Sequence, residues 1–278
     1  MNASDSADQS PAGKGSKSLF GDRPQLWGML HVGALPVTPK SSKSPDQLVQ
    51  DCLAEASLLA DSGLDGLILE NMHDVPYVKP PASPEVIANM TRLADAVRKQ
   101  HPELPIGIQI LASANREALA VAHACNLDFI RAEGFVFGHV ADEGWTDANA
   151  GALMRYRKSL GAEHIRVFTD IKKKHSAHAV TSDVDLVETA EAAEFFLSDG
   201  VIITGSSTGK AASPEDLDAV SGAVRLPVII GSGVDSSNVS AFSKAKALIA
   251  GSYLKQGGRW DQPLDRDRVL QLVEAVRG

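Results

Sequence analysis

The chain of 278 residues lacks the features that mark secreted, membrane-embedded and nucleic-acid-binding proteins. Its only two cysteines, Cys52 and Cys125, each stand alone in an apolar helical pattern, as is typical of a reducing compartment. No run approaches the roughly 18 consecutive apolar residues that a membrane span needs. The net charge is −8 and the longest basic run is Lys172-Lys173-Lys174, which argues against a nucleic-acid or anionic-membrane surface. A small molecule is therefore the expected partner.

The amino-terminal segment also lacks the features of a targeting sequence. Its first twenty or so residues are rich in Ser, Ala, Gly and Asp, with no apolar core of a signal peptide and no arginine. We predict a disordered tail over residues 1–24, a single domain over residues 25–278 and a cytoplasmic location, and leave import into an organelle open.

What the chain does contain, from Gln25 onward, is a regular alternation of short apolar runs and longer amphipathic segments, the pattern of β-α-β units. The short runs are rich in β-branched residues and mostly apolar, as strands covered by helices should be. Eight strands are predicted, at Leu26–His31, Gly66–Asn71, Ile106–Leu111, Phe129–Glu133, Ile165–Asp170, Val201–Gly205, Pro227–Gly231 and Ala247–Gly251.

Helix signals fill the gaps between these strands. Ser-Pro pairs at Ser44, Ser83 and Ser213 are typical of a capping residue followed by proline in the first helical turn. Eight helices are predicted, at about 45–63, 84–101, 115–125, 146–160, 183–198, 214–222, Asp235–Lys244 and Pro263–Arg277.

Eight strands that alternate with eight helices predict one α/β domain, a (β/α)₈ TIM barrel. A doubly wound open sheet also alternates strand and helix, but a dinucleotide-binding example needs G-x-G-x-x-G after its first strand. This chain has Gly33-Ala34-Leu35-Pro36 there, which disfavours that alternative.

Ionisable residues collect where the predicted strands end, which in a TIM barrel is the face that carries the active site. We predict that these residues line a polar cavity, because buried charges without partners are costly. The candidate catalytic residues are His31, Glu70, Glu133, Asp170, Lys172, Lys174 and His175.

Roles follow from residue type. Asp170, Glu70 or Glu133 would be a general base, His31 or His175 a proton donor, and Lys174 or Lys172 would stabilise negative charge. The structural alternative is ion pairing, of Arg131 with Glu133 or Glu70 and of Asp170 with Lys172, with His31 as a core histidine. A divalent metal is compatible with Glu70, Asp170 and His31, but no ligand motif has a diagnostic spacing, and no metal site is predicted.

Small residues after the last strands suggest a site for phosphate. Loops after strands seven and eight of TIM barrels frequently bind phosphate through backbone N–H groups, and here they contain Ser232 with Gly233 and Gly251 with Ser252. The turn after strand six begins with Thr204 and Gly205 and continues to Lys210. It has the wrong spacing for a Walker A loop and Ala211 in place of its Ser or Thr, so we interpret it as a lid.

Several of these segments resemble the BtpA/SgcQ family. The resemblance runs from about Trp27 to Val276 and is clearest in Gly28-Met29-Leu30-His31, Gly66–Pro76, Arg155-Tyr156-Arg157, Lys174-His175, Val201–Gly209, Gly231-Ser232-Gly233-Val234 and Gly251-Ser252. It implies a barrel akin to the ribulose-phosphate-binding barrels. The chain departs from the family pattern at Lys173, where an apolar residue is usual, and at Ala132-Glu133-Gly134-Phe135, where an Asn-rich motif is frequent.

Two functions are therefore expected. The first is an enzyme for a phosphorylated or ribose-bearing metabolite, with isomerase, lyase or glycosyl-bond chemistry. The second, implied by a family link to photosystem I biogenesis, is an assembly or stability factor without turnover. Barrels of this kind often associate through their outer helices, so we also expect a homo-oligomer.

Overall fold

The computed structural model describes residues 18–205 and 212–278, and within them eight parallel strands close into a barrel. The fold predicted from the sequence is confirmed. Of the predicted lid, only Thr204 and Gly205 belong to the described residues, and positions 206–210 lie outside them. The barrel strands are β1 (Gln25–His31), β2 (Gly66–Glu70), β3 (Ile106–Gln109), β4 (Phe129–Ala132), β7 (Arg166–Ile171), β9 (Gly200–Ile203), β10 (Val228–Ile230) and β11 (Ala247–Ala250).

The barrel closes because β1 pairs with β2 on one side and with β11 on the other. The strands are parallel, so all of their carboxyl ends meet at one face. In this register His31 lies opposite Glu70, and Glu70 lies opposite Gln109. Three polar side chains that are far apart in sequence therefore lie side by side at the carboxyl-terminal face.

Seven α-helices cover the outside of the part of the barrel that the structure describes. Ser44 begins the first with a capping box, in which its hydroxyl accepts from the N–H of Gln47, and the Ser213 hydroxyl caps another. The helices are α1 (Pro45–Asp61), α2 (Pro84–Gln100), α3 (Asn115–Ala124), α4 (Ala150–Ser159), α5 (Leu186–Phe195), α6 (Pro214–Ala223) and α7 (Arg266–Arg277).

The helix predicted at Asp235–Lys244 is wrong, because only a short 3₁₀ turn, Val239–Phe242, forms there. The Asp235 carboxylate accepts hydrogen bonds from the backbone N–H groups of Ser237 and Asn238. Such a local side-chain turn competes with the helical hydrogen bonds.

A small antiparallel sheet that the sequence interpretation missed lies at the carboxyl-terminal face. Its strands are β5 (His139–Ala141), β6 (Gly144–Thr146) and β8 (Ser176–Ala177). The first two form a hairpin after β4, and the third follows β7. The helix predicted from residue 146 therefore begins only at Ala150.

The amino-terminal end of the barrel is filled by aromatic side chains. The Trp27 and Phe129 rings lie 4.6 Å apart and the Phe129 and Phe168 rings 5.3 Å apart. Gly107 makes room for them, because a Cβ atom there would lie 2.2 Å from Phe129. Phe20 stacks on Trp27, so contacts with the barrel begin before the predicted domain start at residue 25.

Among residues 18–205 and 212–278, no helix is both long and apolar enough to cross a membrane.

Candidate active site at the carboxyl ends of the barrel strands

A cavity of about 500 Å³ opens at the carboxyl-terminal face. Met29 and Ile249 give it an apolar part, and Asp142 and Glu143 of the β5–β6 hairpin reach its rim. The lining includes ten of the predicted site residues: His31, Glu70, Glu133, Asp170, Lys174, His175, Ser232, Gly233, Gly251 and Ser252. Three others, Lys172, Thr204 and Gly205, are not among the residues that line it.

Arg131 and Asp170 form a buried two-pronged ion pair beneath the cavity. The Arg131 Nε and one terminal nitrogen each donate to a different Asp170 oxygen at 3.0 Å. The pairing expected of Asp170 with Lys172 is therefore wrong, as are both partners expected for Arg131. Both oxygens of Asp170 accept from Arg131, so this carboxylate holds the guanidinium, and its role as a general base stays a prediction.

Glu133 forms the second buried pair, with Lys173 at 2.9 Å. Burial alone would raise the pKa of Glu133, but the Lys173 ammonium and the backbone N–H of Ser113 hold this pKa below its usual value. Glu133 is thus an ionised partner of Lys173. The two residues at which the chain departs from the family pattern contact each other.

Lys172 and Thr204 are not among the residues that line this cavity, and their predicted contact with a ligand stays a prediction. Lys172 has a positive φ of 46°, and its ammonium donates to the backbone carbonyl of Thr181 at 2.8 Å. The Thr204 side chain is buried, and its hydroxyl accepts from the backbone N–H of Lys174. Thr204 therefore supports the loop that carries Lys174.

Glu70 and His31 form the part of the cavity best suited to proton transfer. Nε2 of His31 lies 3.5 Å from Oε2 of Glu70, and Nδ1 lies 3.3 Å from the carbonyl oxygen of Trp260. A carbonyl only accepts, so we assign the imidazole proton to Nδ1, which leaves Nε2 as an acceptor toward Glu70.

Burial tunes the protonation of both groups. It raises the pKa of Glu70 to about 7, whereas burial and the nearby Lys255 lower the pKa of His31 to about 3. Near neutral pH the pair is therefore an uncharged imidazole beside a carboxyl group whose pKa is raised into the range in which it can both give and take a proton. A carboxyl with its pKa near the working pH is well suited to general acid–base catalysis.

Gln109 is a cavity residue that was absent from the predicted set. Its side chain is 3% exposed, and its Oε1 atom is buried with no hydrogen-bond partner among the described residues. Buried amides are almost always hydrogen-bonded, so an unpartnered one at a cavity wall indicates a ligand contact. The signal in the sequence was one polar residue in an otherwise apolar strand.

The small residues after β10 and β11 form the part of the wall next to β1, because β11 pairs with β1. A Cβ atom at Gly251 would lie 3.2 Å from Nε2 of His31, and one at Gly231 would lie 2.4 Å from Ile202. The Ser232 hydroxyl donates to the carbonyl of Thr204, which ties the loop after β10 to the end of β9. Of the predicted phosphate residues, Gly251 therefore adjoins His31, and Ser232, Gly233 and Ser252 line the same cavity.

Within the described ranges, no group of three or more His, Cys, Asp and Glu residues is arranged to hold a metal ion. Of the three donors considered from the sequence, Asp170 is engaged by Arg131.

Fold and cavity together define a TIM-barrel protein with a polar pocket at its carboxyl-terminal face. Phosphoribosyl anthranilate isomerase from Thermus thermophilus has a similar fold, with a TM-score of 0.55 at 11% identity over 91% of this chain and 98% of that one. Orotidine 5'-phosphate decarboxylase from Pyrococcus horikoshii has a TM-score of 0.54 at 13% identity over 91% of this chain and 99% of that one.

The chain belongs to the BtpA family, whose model matches residues 23–278. An uncharacterized mitochondrial protein of Caenorhabditis elegans is 52% identical over 265 residues, which cover 94% of this chain and 96% of the relative. The photosystem I biogenesis protein BtpA of Synechocystis is 31% identical over 251 residues, which cover 90% of this chain and 86% of the relative.

Proposed function

We propose that the chain is an enzyme that acts on a phosphorylated or ribose-containing small metabolite in the cavity at the carboxyl-terminal face. The observation that carries the proposal is the pair Glu70 and Gln109, two buried polar side chains that face the cavity in register. Two barrels of similar fold are named for phosphorylated substrates, which supports the ligand class. The reaction classes that suit a single acid–base carboxyl are isomerase, lyase and glycosyl-bond chemistry.

The two walls of the cavity have different proposed roles. Gly233, Gly251 and Ser252 would bind phosphate through backbone N–H groups, because small residues allow an anion to approach the main chain. Glu70 would transfer the proton, and Lys174 would stabilise negative charge as it develops. Since Gly251 adjoins His31, which adjoins Glu70, the reacting carbon would lie only a few bonds from the phosphate.

A thermal-shift screen tests ligand binding directly. Phosphosugars, nucleotides and phosphoribosyl compounds should raise the Tm, because a ligand that binds only the native state stabilises it. The same sugars and nucleosides without phosphate should have a much smaller effect. If no phosphorylated compound raises the Tm at any pH or with any added divalent metal, the proposal fails.

Replacing Gly251 by valine should weaken binding of inorganic phosphate about tenfold, roughly 1.4 kcal/mol. The new side chain would lie against His31 and fill the space through which an anion approaches the backbone. Calorimetric titration measures the affinity. Gly222→Ala is the matched control, because a Cβ atom at Gly222 meets nothing within 4 Å. Unchanged affinity in Gly251→Val would remove this wall from the phosphate site.

The second candidate function is an assembly or stability factor without turnover. The name of the Synechocystis relative and an exposed apolar cluster at the end of α5 favour it. A barrel used only as a scaffold would be expected to fill its strand-end cavity, and this cavity is open. If purified chain turns over none of the compounds that bind in the screen, this alternative gains support.

The exposed apolar cluster consists of Phe195, Phe196 and Leu197, with relative exposures of 82%, 45% and 67%. Clusters of this kind frequently mark protein interfaces, so we propose that copies of the chain associate here. The double variant Phe195→Ser, Leu197→Ser should elute as a smaller species in size-exclusion chromatography with light scattering. Its Tm at low concentration should be nearly unchanged. A monomeric parent chain would contradict the proposal.

A cytoplasmic location was expected from the sequence, with organellar import as the alternative. The mitochondrial name of the Caenorhabditis elegans relative favours the alternative. Fractionation of cells that produce the full chain distinguishes the two compartments.

A further inference from the structure

Three consecutive lysines have three different environments. The Lys172 ammonium donates to the Thr181 carbonyl outside the cavity, and the Lys173 ammonium pairs with Glu133. Lys174 lines the cavity, and no hydrogen bond or ion pair of its ammonium is present among the described residues. A lysine held in an ion pair is a fixed positive charge, whereas an unpaired and partly buried lysine is available as a nucleophile.

The surroundings of Lys174 also favour the neutral amine. Burial and the Arg131 guanidinium lower its pKa, whereas the Glu133 carboxylate raises the pKa of Lys173 despite its burial. The positive φ of Lys172 and the hydrogen bond from the Lys174 N–H to Thr204 shape the loop. Lys173 and Lys174 both line the cavity, but the Lys173 ammonium is held by Glu133, so Lys174 is the lysine of the three that lines the cavity without a partner among the described residues.

We propose that Lys174 forms a Schiff base with an aldehyde or ketone group of the substrate, so that the enzyme acts on a phosphorylated carbonyl compound. This inference rests on the proposed function and adds the reactive group of the substrate. It assigns Lys174 a covalent role in place of a purely electrostatic one.

The step balances with the groups present. The neutral Nζ of Lys174 attacks the carbonyl carbon, and a proton moves from nitrogen to oxygen to give a carbinolamine. Protonated Glu70 then supplies a proton to the hydroxyl, which leaves as water while the nitrogen lone pair forms the C=N bond. The products are a protonated imine, one water molecule and the Glu70 carboxylate.

The carboxylate formed in that step has a second use. A protonated imine withdraws electrons and acidifies the neighbouring C–H bond, and Glu70 is now the base that can remove this proton. His31 lies 3.5 Å from Glu70 and presents an unprotonated nitrogen to it, so it can accept from the Glu70 carboxyl before the first proton transfer and again after Glu70 has removed the C–H proton. Isomerisation and carbon–carbon cleavage both proceed through such an intermediate.

Reductive trapping tests the inference on the full chain. The probe is glyceraldehyde 3-phosphate with sodium cyanoborohydride, which reduces an imine to a stable secondary amine. Peptide mass spectrometry then gives the occupancy at each of the three adjacent lysines. We expect severalfold higher occupancy at Lys174 than at Lys172 or Lys173, and we expect the Glu70→Gln variant to slow the labelling of Lys174 alone. Equal labelling of the three lysines overturns the inference.

Two comparisons separate this inference from the proposed function. If glyceraldehyde labels Lys174 as well as its phosphate ester does, and inorganic phosphate does not compete, the Schiff base stands and the phosphate site fails. If phosphorylated compounds raise the Tm but Lys174 is not preferentially labelled, ligand binding stands and the Schiff base fails. Lys174→Arg keeps the charge and should lose the adduct at this position while labelling elsewhere is unchanged.

Discussion

Replacing Asp170 by asparagine should lower the free energy of unfolding by about 3 to 5 kcal/mol, the usual cost of removing one partner from a buried ion pair. Asp170 accepts both hydrogen bonds that Arg131 makes, and both side chains are less than one-tenth exposed. The variant would leave a guanidinium in the barrel without its counter-charge. Urea denaturation at neutral pH, followed by circular dichroism, measures the loss.

Two further variants test whether the loss of stability comes from leaving a buried charge without its partner. The double replacement Arg131→Met, Asp170→Leu should recover much of the loss, because it removes both charges together. Asp218→Asn breaks an exposed pair with Lys244 and should change stability by less than about 1 kcal/mol. A loss in Asp170→Asn no larger than in Asp218→Asn would mean that another group, such as Glu70, replaces the missing carboxylate.

The eight barrel strands could be predicted because each is a short, mostly apolar run that ends in polar or small residues. The position of the site followed from the same observation, since parallel strands bring those polar ends to one face. Contacts between side chains could not be predicted. From the sequence alone, Arg131 could pair with any of several carboxylates. That it pairs with Asp170 depends on how β4 and β7 lie next to each other in the barrel.

The predictions from the sequence that were wrong failed for local reasons, which the alternation of apolar runs and amphipathic segments does not reveal. The positive φ at Lys172 turns that side chain toward Thr181, so a simple strand-end pattern fails for this lysine. The Asp235 side-chain turn replaces a helix, and the β5–β6 hairpin replaces the first turn of another. Gln109 had a usable signal, because a polar residue in register with Glu70 must face the same cavity.

The two kinds of carboxylate at this face differ in what surrounds them. Asp170 and Glu133 each have a cation within hydrogen-bond distance, so they hold Arg131 and Lys173 in place. Among residues 18–205 and 212–278, the Glu70 carboxyl has no hydrogen bond or cationic partner within hydrogen-bond distance, and the neutral imidazole of His31 lies 3.5 Å away. The proposed acid–base step needs a carboxyl whose proton can move, and the ion pairs of Asp170 and Glu133 are the reason that we propose Glu70 for it.

Replacing Glu70 by glutamine should have an effect on the free energy of unfolding that depends on pH. The difference between the variant and the parent chain should be more favourable to the variant at pH 8 than at pH 4.5, by roughly 3 kcal/mol. Burial raises the pKa of this carboxyl from an ordinary value of 4.5 to about 7. Below pH 4.5 it is protonated in both the folded and the unfolded chain and contributes no pH dependence. Between these two values the unfolded chain loses the proton while the native chain keeps it, so stability falls as pH rises. Glutamine cannot ionise and removes that decline.

Urea denaturation of the parent chain and of Glu70→Gln at intervals from pH 4.5 to pH 8 measures the difference directly. The two free energies of unfolding should diverge mainly between pH 5 and pH 7 and run parallel above that range. Glu191→Gln removes one negative charge from an exposed position on α5 and so reports the effect of net charge alone. Parallel curves for parent and Glu70→Gln over the whole range would mean that Glu70 is already ionised in the native state. The proton for imine formation would then have to come from another group.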